Sequence, residues 1–455
     1  MSLDLADIQG TILRGYRVDH ARHFVLEVVD AAAGRALLGQ LAPRITTAAP
    51  WTEKPASMLN VGITAAGLAA LGVPAETIAG FPEAFRRGAT AEATKKIVGD
   101  IGPSDPSRWI EGLRNGARVH AILSLWSVGD PAVLEEVTAG LRQAFTGAVT
   151  ELAAIDATPL PHNKVHFDYT DNIAQPRVEG ALPPKRDRPD PQPLTPPGAF
   201  LLGHENQYGG TYKIDTEALS TNSSFAAFRM LGQDAAAFER FLVEYGAQAG
   251  VDPEMLAAIV CGRWRNGTPL ELSPDAATPE VAPEKINDFD YVSDDPAVDD
   301  TFGYKCPVGS HIRRTNPRSM RVVGGGGHLH RLIRRAIPYG PPFDPARPDD
   351  AERGLVGWFI GADLANQFEF IMGQWVNSDS FVMSVAGPGG ANPAKNISGE
   401  DILAGINDPA SSSFTLSAPG APNRRITGFP SFVTTRGGAY CYLPSLTALR
   451  WIVAP

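Results

Sequence analysis

The chain has 455 residues, 43% of them hydrophobic and 20% charged, with a formal net charge of −10. Those values exclude a disordered or fibrous chain and make it too long for one ordinary core. The acidic balance argues against a nucleic-acid-binding protein, which needs a clustered basic face.

The opening residues, MSLDLADIQG, have no basic region leading into an apolar run, and double arginines occur only deep in the chain. No signal peptide is therefore expected. No apolar run reaches the roughly 18 residues that a membrane span needs, so no membrane partner is expected and the location is read as cytoplasmic.

Residues 24–29 and 121–128 have the apolar, β-branched character of strands. At 131–145 the pattern changes to helical, with Val133, Leu134, Val137, Leu141 and Phe145 on one stripe. Asp130 is placed to cap that helix and Pro131 to open it. His162 and His166 have the i, i+4 spacing of a metal pair on a helix. Pro161 before them and the Phe167–Asp168–Tyr169–Thr170 run after them argue for a loop instead.

Residues 181–198 hold seven prolines and five charged residues, which makes a loop or linker. A division shortly after it gives domains 1–215 and 216–455. At 234–245, Phe238, Phe241, Leu242 and Tyr245 predict a second amphipathic helix. Four glycines at 324–327 predict a flexible stretch, and His328 and His330 would share one face of a strand. Residues 381–385 and 439–443 again look like strands. Mixed elements in both halves give an α+β fold, helices packed on antiparallel sheet. The three cysteines, Cys261, Cys306 and Cys441, are too few for a disulfide framework and are expected as buried thiols.

A lone histidine is ordinarily a packed residue. His311, however, sits in CPVGSHIRRTNPR at 306–318. This string resembles the proximal-histidine segment of the dye-decolorizing heme peroxidases, through Cys306, Pro307, Gly309, His311, Ile312, Arg313, Asn316, Pro317 and Arg318. The resemblance continues in the same order over most of the chain: DIQG at 7–10, HFDYTDNIAQPRVEG at 166–180, GRWRNGTPL at 262–270, DFDYVSDDP at 288–296, RRAIPYGP at 334–341, NQFEFIMGQW at 366–375 and GGAYCYLPSLTAL at 437–449.

The resemblance implies two ferredoxin-like α+β domains with heme b in the second. It implies His311 as the iron ligand, its other ring nitrogen held by a carboxylate that the sequence does not identify. It implies Asp171, reaching across from the first domain, and Arg334 as the pair that handles peroxide. Arg335 is the neighbour that competes with Arg334 for the role. Leu355 and Phe359 are implied as apolar residues of the cofactor pocket. The reaction implied is reduction of hydrogen peroxide and one-electron oxidation of a small phenolic or dye-like donor. Oligomeric state is left open.

The chain also departs from the family pattern. Where relatives have GxxDG, it reads Asp168–Tyr169–Thr170–Asp171–Asn172, with both glycines replaced. Asparagine tolerates positive φ, so the backbone can survive, and its amide can hydrogen-bond Asp171. Asp168 reads as a turn residue. Ala336 stands where glycine or asparagine is usual. Gly357 stands where many relatives carry phenylalanine, which predicts an enlarged distal pocket. Alternative readings are a heme-dependent oxidase or oxygenase using that enlarged pocket, a non-catalytic heme carrier, a Cys306 thiolate ligand, and a non-heme metal protein using the paired histidines.

Overall fold

The computed structural model describes residues 3–182, 191–278, 280–382 and 398–454. Residues 183–190 of the expected proline-rich loop lie outside the described residues, as do residues 383–385 of the strand expected at 381–385; Phe381 and Val382 are buried but belong to no strand.

The described strands are β1 (His20–Val28), β2 (Ser57–Ile63), β3 (Ala121–Ser127), β4 (Val149–Ala157), β5 (Ser224–Gln233), β6 (Arg321–Val322), β7 (Gly325–Gly326), β8 (Ile333–Tyr339), β9 (Gly354–Gly361), β10 (Ser413–Ala418), β11 (Ala421–Thr427) and β12 (Val433–Leu443). Eight of them form one sheet in the order β4-β1-β3-β2-β12-β5-β9-β8. Its pairings are antiparallel. The order repeats itself. Within β1–β4, and again within β5, β8, β9 and β12, the strands lie fourth, first, third, second. That is the ferredoxin-like arrangement, used twice.

The two sets meet where β2 and β12 share the single partner pair Ile63 and Tyr442. The buried Gln9 spans this seam, its amide donating to Val61 O at 2.8 Å and Pro444 O at 2.9 Å. At the outer ends, just past β4, Thr158 N–H donates to Pro338 O of β8 at 2.8 Å. The sheet therefore curls until its first and last strands come close.

Helix Pro131–Phe145 forms as its stripe predicts: the Asp130 carboxylate accepts from Ala132 N–H, and Leu134, Leu141 and Phe145 are buried. Each such side chain contributes roughly 1.5–3 kcal/mol when fully buried. Helix Ala235–Ala249, capped by Asp234, buries Phe238, Phe241 and Leu242. These join a second apolar core built from the long excursions of the C-terminal half, with Trp264, Tyr291, Trp375 and Phe414. Phe167 and Tyr169 from the first half are packed into that same core.

One local expectation changes. His328 and His330 lie in a 3-10 turn, Gly327–His330, rather than on a strand, because the glycine run forms the tight turn between β6 and β7. Gly324 and Gly325 adopt φ of +91° and +112° there, a region glycine enters freely. Among the described residues no helix is long and apolar enough to cross a membrane.

Candidate active site

A cavity of about 1490 Å³ opens between one face of β8 and β9 and the helical excursions of the C-terminal half. Typical small-molecule sites hold about 300–1,000 Å³. His311, Asp171, Arg334, Leu355 and Phe359 all line it. Residues named on four distant stretches of sequence are thus brought to one space.

His311 is the first residue of the short helix His311–Thr315. Its Nδ1 is 2.8 Å from Oδ2 of Asp401, which is fully buried. The other carboxylate oxygen of Asp401 accepts from Leu403 N–H and Ala404 N–H. Burial raises the Asp401 pKa, but the charge and hydrogen bond of His311, with Arg314, outweigh it and hold the group below its ordinary value. An ionised Asp401 fixes the proton on Nδ1, so Nε2 carries the lone pair. Nε2 has no partner among the described residues, and the side chain is 32% exposed, toward the cavity.

The basic residues around His311 are structural clamps. Arg313 pairs with Asp300 at 2.9 Å. Arg314 reaches Ser378 O at 2.8 Å and also bonds the carbonyls of Trp375 and Gly399. It therefore ties the His311 helix to the segment that carries Asp401. Arg318 stacks 3.6 Å from the centroid of the Phe289 ring. These fully buried guanidiniums explain why a long motif surrounds one functional imidazole.

Asp171 sits on a loop that leaves β4 and docks on the C-terminal half. Tyr169 Oη donates to Ala257 O at 2.8 Å, Thr170 N–H to Arg265 O at 3.0 Å, and Asp171 N–H to Asn163 O at 2.8 Å. Asp168 and Asn172, where relatives carry glycine, have φ of +62° and +61°. Both positions are left-handed, a region that Asp and Asn enter at modest cost. Among the described residues the Asn172 amide makes no hydrogen bond to Asp171.

Arg334 and Arg335 are adjacent on β8, so their side chains leave opposite faces. Arg334 Nη2 donates to Ala174 O at 2.8 Å, and its backbone is held on both sides by the Gln175 amide. It lies inside the protein envelope but fronts open cavity. Burial lowers its pKa, and the negative charge of Asp171 raises it again. Arg335 instead turns toward the N-terminal segment, where Nε donates to Thr11 O at 2.9 Å.

Gly357 does not enlarge the cavity. It is buried in β9 directly against β8, where a Cβ would meet Arg335 O at 2.1 Å and Ala336 Cα at 2.5 Å. The close strand pairing demands glycine, and Leu355 and Phe359 on either side form the wall. This removes the basis for an oxygenase reading built on that position. Cys306 is fully buried away from the cavity lining, and burial pushes its thiol up to about 12, which speaks against a thiolate ligand. His162 lies in a 3-10 turn, while His166 is buried with Nε2 2.9 Å from Tyr339 O, so the two do not form a helical pair.

Asp401 and Gln175 escaped the sequence reading. Asp401 is 90 residues from its partner and stands in an unremarked stretch, NISGEDIL. Gln175 lies inside a recognised segment, but nothing in its spacing marks it.

The donor set suits a flat iron macrocycle. One imidazole is aimed into the space and held from behind by a buried carboxylate, and Ile312, Leu355, Phe359, Phe368 and Ile371 supply apolar surface. Fold and cavity together define an α+β pocket protein of the heme-binding kind.

Comparison with known proteins makes this specific. The family model of the DyP dimeric alpha+beta barrel domain matches residues 7–160. The dye-decolorizing peroxidase msp1 of Mycetinis scorodonius is 29% identical, over 99% of this chain and 88% of the relative. The multifunctional dye peroxidase DyP2 of Amycolatopsis sp. is 28% identical, over 98% of this chain and 95% of its own. A solved dye-decolorizing peroxidase in complex with 2,6-dimethoxyphenol superposes with a TM-score of 0.82 at 28% identity, covering 99% of this chain and 100% of that one. The chain belongs to the dye-decolorizing peroxidase family and is a heme-dependent peroxidase.

Proposed function

We propose that His311 is the iron ligand of this peroxidase, and that Asp171 and Arg334 act on peroxide from the opposite wall. One observation carries the reading: a carboxylate-held imidazole and an Asp–Arg pair line one cavity. Heme supplies the two-electron reduction of peroxide and the one-electron oxidation of a donor. Asp171 takes the proton from one peroxide oxygen and delivers it to the other. Arg334 opposes the negative charge that grows as the O–O bond breaks. Asp401 keeps the His311 proton on Nδ1 and makes Nε2 a stronger donor. Leu355 and Phe359, which line the cavity, would help hold the heme and exclude water.

The donor belongs to the same proposal. A small phenol or dye is favoured, since a relative of the same fold is solved with 2,6-dimethoxyphenol. A cytoplasmic location is supported by three free, buried cysteines. Division into domains 1–215 and 216–455 is supported by the way one four-strand set precedes residue 215 and the other follows it.

Purified protein loaded with heme is expected to show a Soret band that collapses in His311→Ala. An unchanged heme spectrum in that variant overturns the ligand assignment.

A further inference from the structure

The cavity does not end at the Arg334 face of β8. It continues past the strand to the N-terminal segment, where Arg14, Gly15, Tyr16, Trp126 and Arg335 line it. Arg335 is the core of this end. Among the described residues it has no carboxylate partner. Only its Nε bond to Thr11 O, at 2.9 Å, is short; Nη1 lies 3.3 Å from Arg334 O and Nη2 3.4 Å from Ile12 O. Burial depresses its pKa to about 10, as expected of a cation enclosed without a counter-charge. Such a charge is costly to hold unless something pairs with it.

Three further observations point to a ligand. A Cβ on the exposed Gly15 would find Arg335 Nη1 at 4.0 Å and nothing else nearer, so open space reaches the guanidinium. Trp126 is 4% exposed and lines the cavity, yet its Nε1–H has no acceptor among the described residues. Aromatic surface joins the two, with the Tyr16 ring 6.1 Å from Trp126 and 6.0 Å from Trp51.

We propose that this end of the cavity binds a small aromatic carboxylate, its carboxylate on the two Nη groups of Arg335 and its ring beside Tyr16 and Trp126. A planar guanidinium with both Nη groups weakly engaged is the fork that a carboxylate matches. The exposed Asp19 is the one carboxylate among the described residues lining this end, and its Oδ2 is engaged by Gly129 N–H. The site lies on the opposite face of β8 from Arg334, and it does not rest on the iron-ligand assignment.

Benzoate is the probe, titrated into the heme-loaded protein by calorimetry while the Soret band is recorded. Binding of one benzoate per chain with the Soret band unmoved is expected. Arg335→Gln weakens it by about tenfold or more. Gly15→Leu, which fills the space beside Nη1 and removes no charge, weakens it as well. Arg334→Leu leaves it nearly unchanged. Benzoate that shifts the Soret band, or whose affinity follows Arg334 and not Arg335, overturns the site. Absence of heat at millimolar benzoate in the folded wild type overturns it too.

Discussion

The two walls of the cavity are built on different principles. The His311 wall is held by buried charge. Arg313, Arg314 and Arg318 are fully enclosed, and each bonds backbone carbonyls or a carboxylate of a separate segment. The Asp171 wall is held by backbone shape. Its loop is docked by main-chain hydrogen bonds together with the Tyr169 hydroxyl and the Lys164 ammonium, and it has two left-handed positions with non-glycine residues in them. A clamp of buried arginines tolerates little change of residue type, since an arginine fork has no substitute of equal geometry. A loop defined by φ and ψ accepts any residue that can reach the conformation, and Asn and Asp do so at modest cost. The family resemblance can therefore be nearly complete around His311, while around Asp171 the two glycines of the family pattern are replaced by residues that adopt left-handed backbone here.

The largest effect that separates the walls should come from Arg334. Arg334→Leu is expected to slow the reaction with peroxide by about 10²- to 10³-fold, the scale for losing a charge-stabilising donor. Heme content and the Soret band should stay as they are, because among the described residues the guanidinium bonds Ala174 O and no segment of the His311 wall. Stopped-flow mixing with peroxide measures it. An unchanged rate means that the cavity wall at Arg334 takes no part in the chemistry.

On the other wall, Asp401→Asn preserves size and removes the charge behind His311. A loss of about 10- to 100-fold in activity or heme affinity is expected, the usual cost of removing a group that orients a metal ligand. The Soret band should also shift, since the imidazole becomes a weaker donor. A variant that keeps both rate and spectrum would show that Asp401 serves only to fill its buried site.

Much of this was legible in the sequence, for identifiable reasons. Helix Pro131–Phe145 starts and ends at the residues its stripe and Asp130 cap predict, because local capping and one apolar face decide it. The duplicated ferredoxin-like order is expected from the family resemblance and is borne out; periodicity alone does not show it, because each set is interrupted by long excursions and the sets share no short repeat. His311 could be named because the clamps around it are contiguous in sequence. Asp401 could not, because a partner 90 residues away leaves no spacing to read. Gly357 misled because the missing side chain was counted as empty space. The structure fills that space with the backbone of β8.

The His311 wall has one weak point, and it gives the smallest and most specific test. Glu271 is buried beside Asp300 and reaches Lys305 at 3.1 Å. Burial, then the negative charge of Asp300, push its carboxyl up from 4.5 to about 8, with Lys305 acting against them. The native state therefore binds a proton that the unfolded chain releases. This contribution to stability is full below about 4.5 and is lost as pH rises to about 8. Glu271→Gln keeps the shape and removes the titration. The thermal midpoint of the wild type is expected to fall across that range relative to the variant, with the two curves parallel outside it. Equal slopes throughout would place Glu271 among ordinary paired carboxylates and leave the His311 wall uniformly clamped.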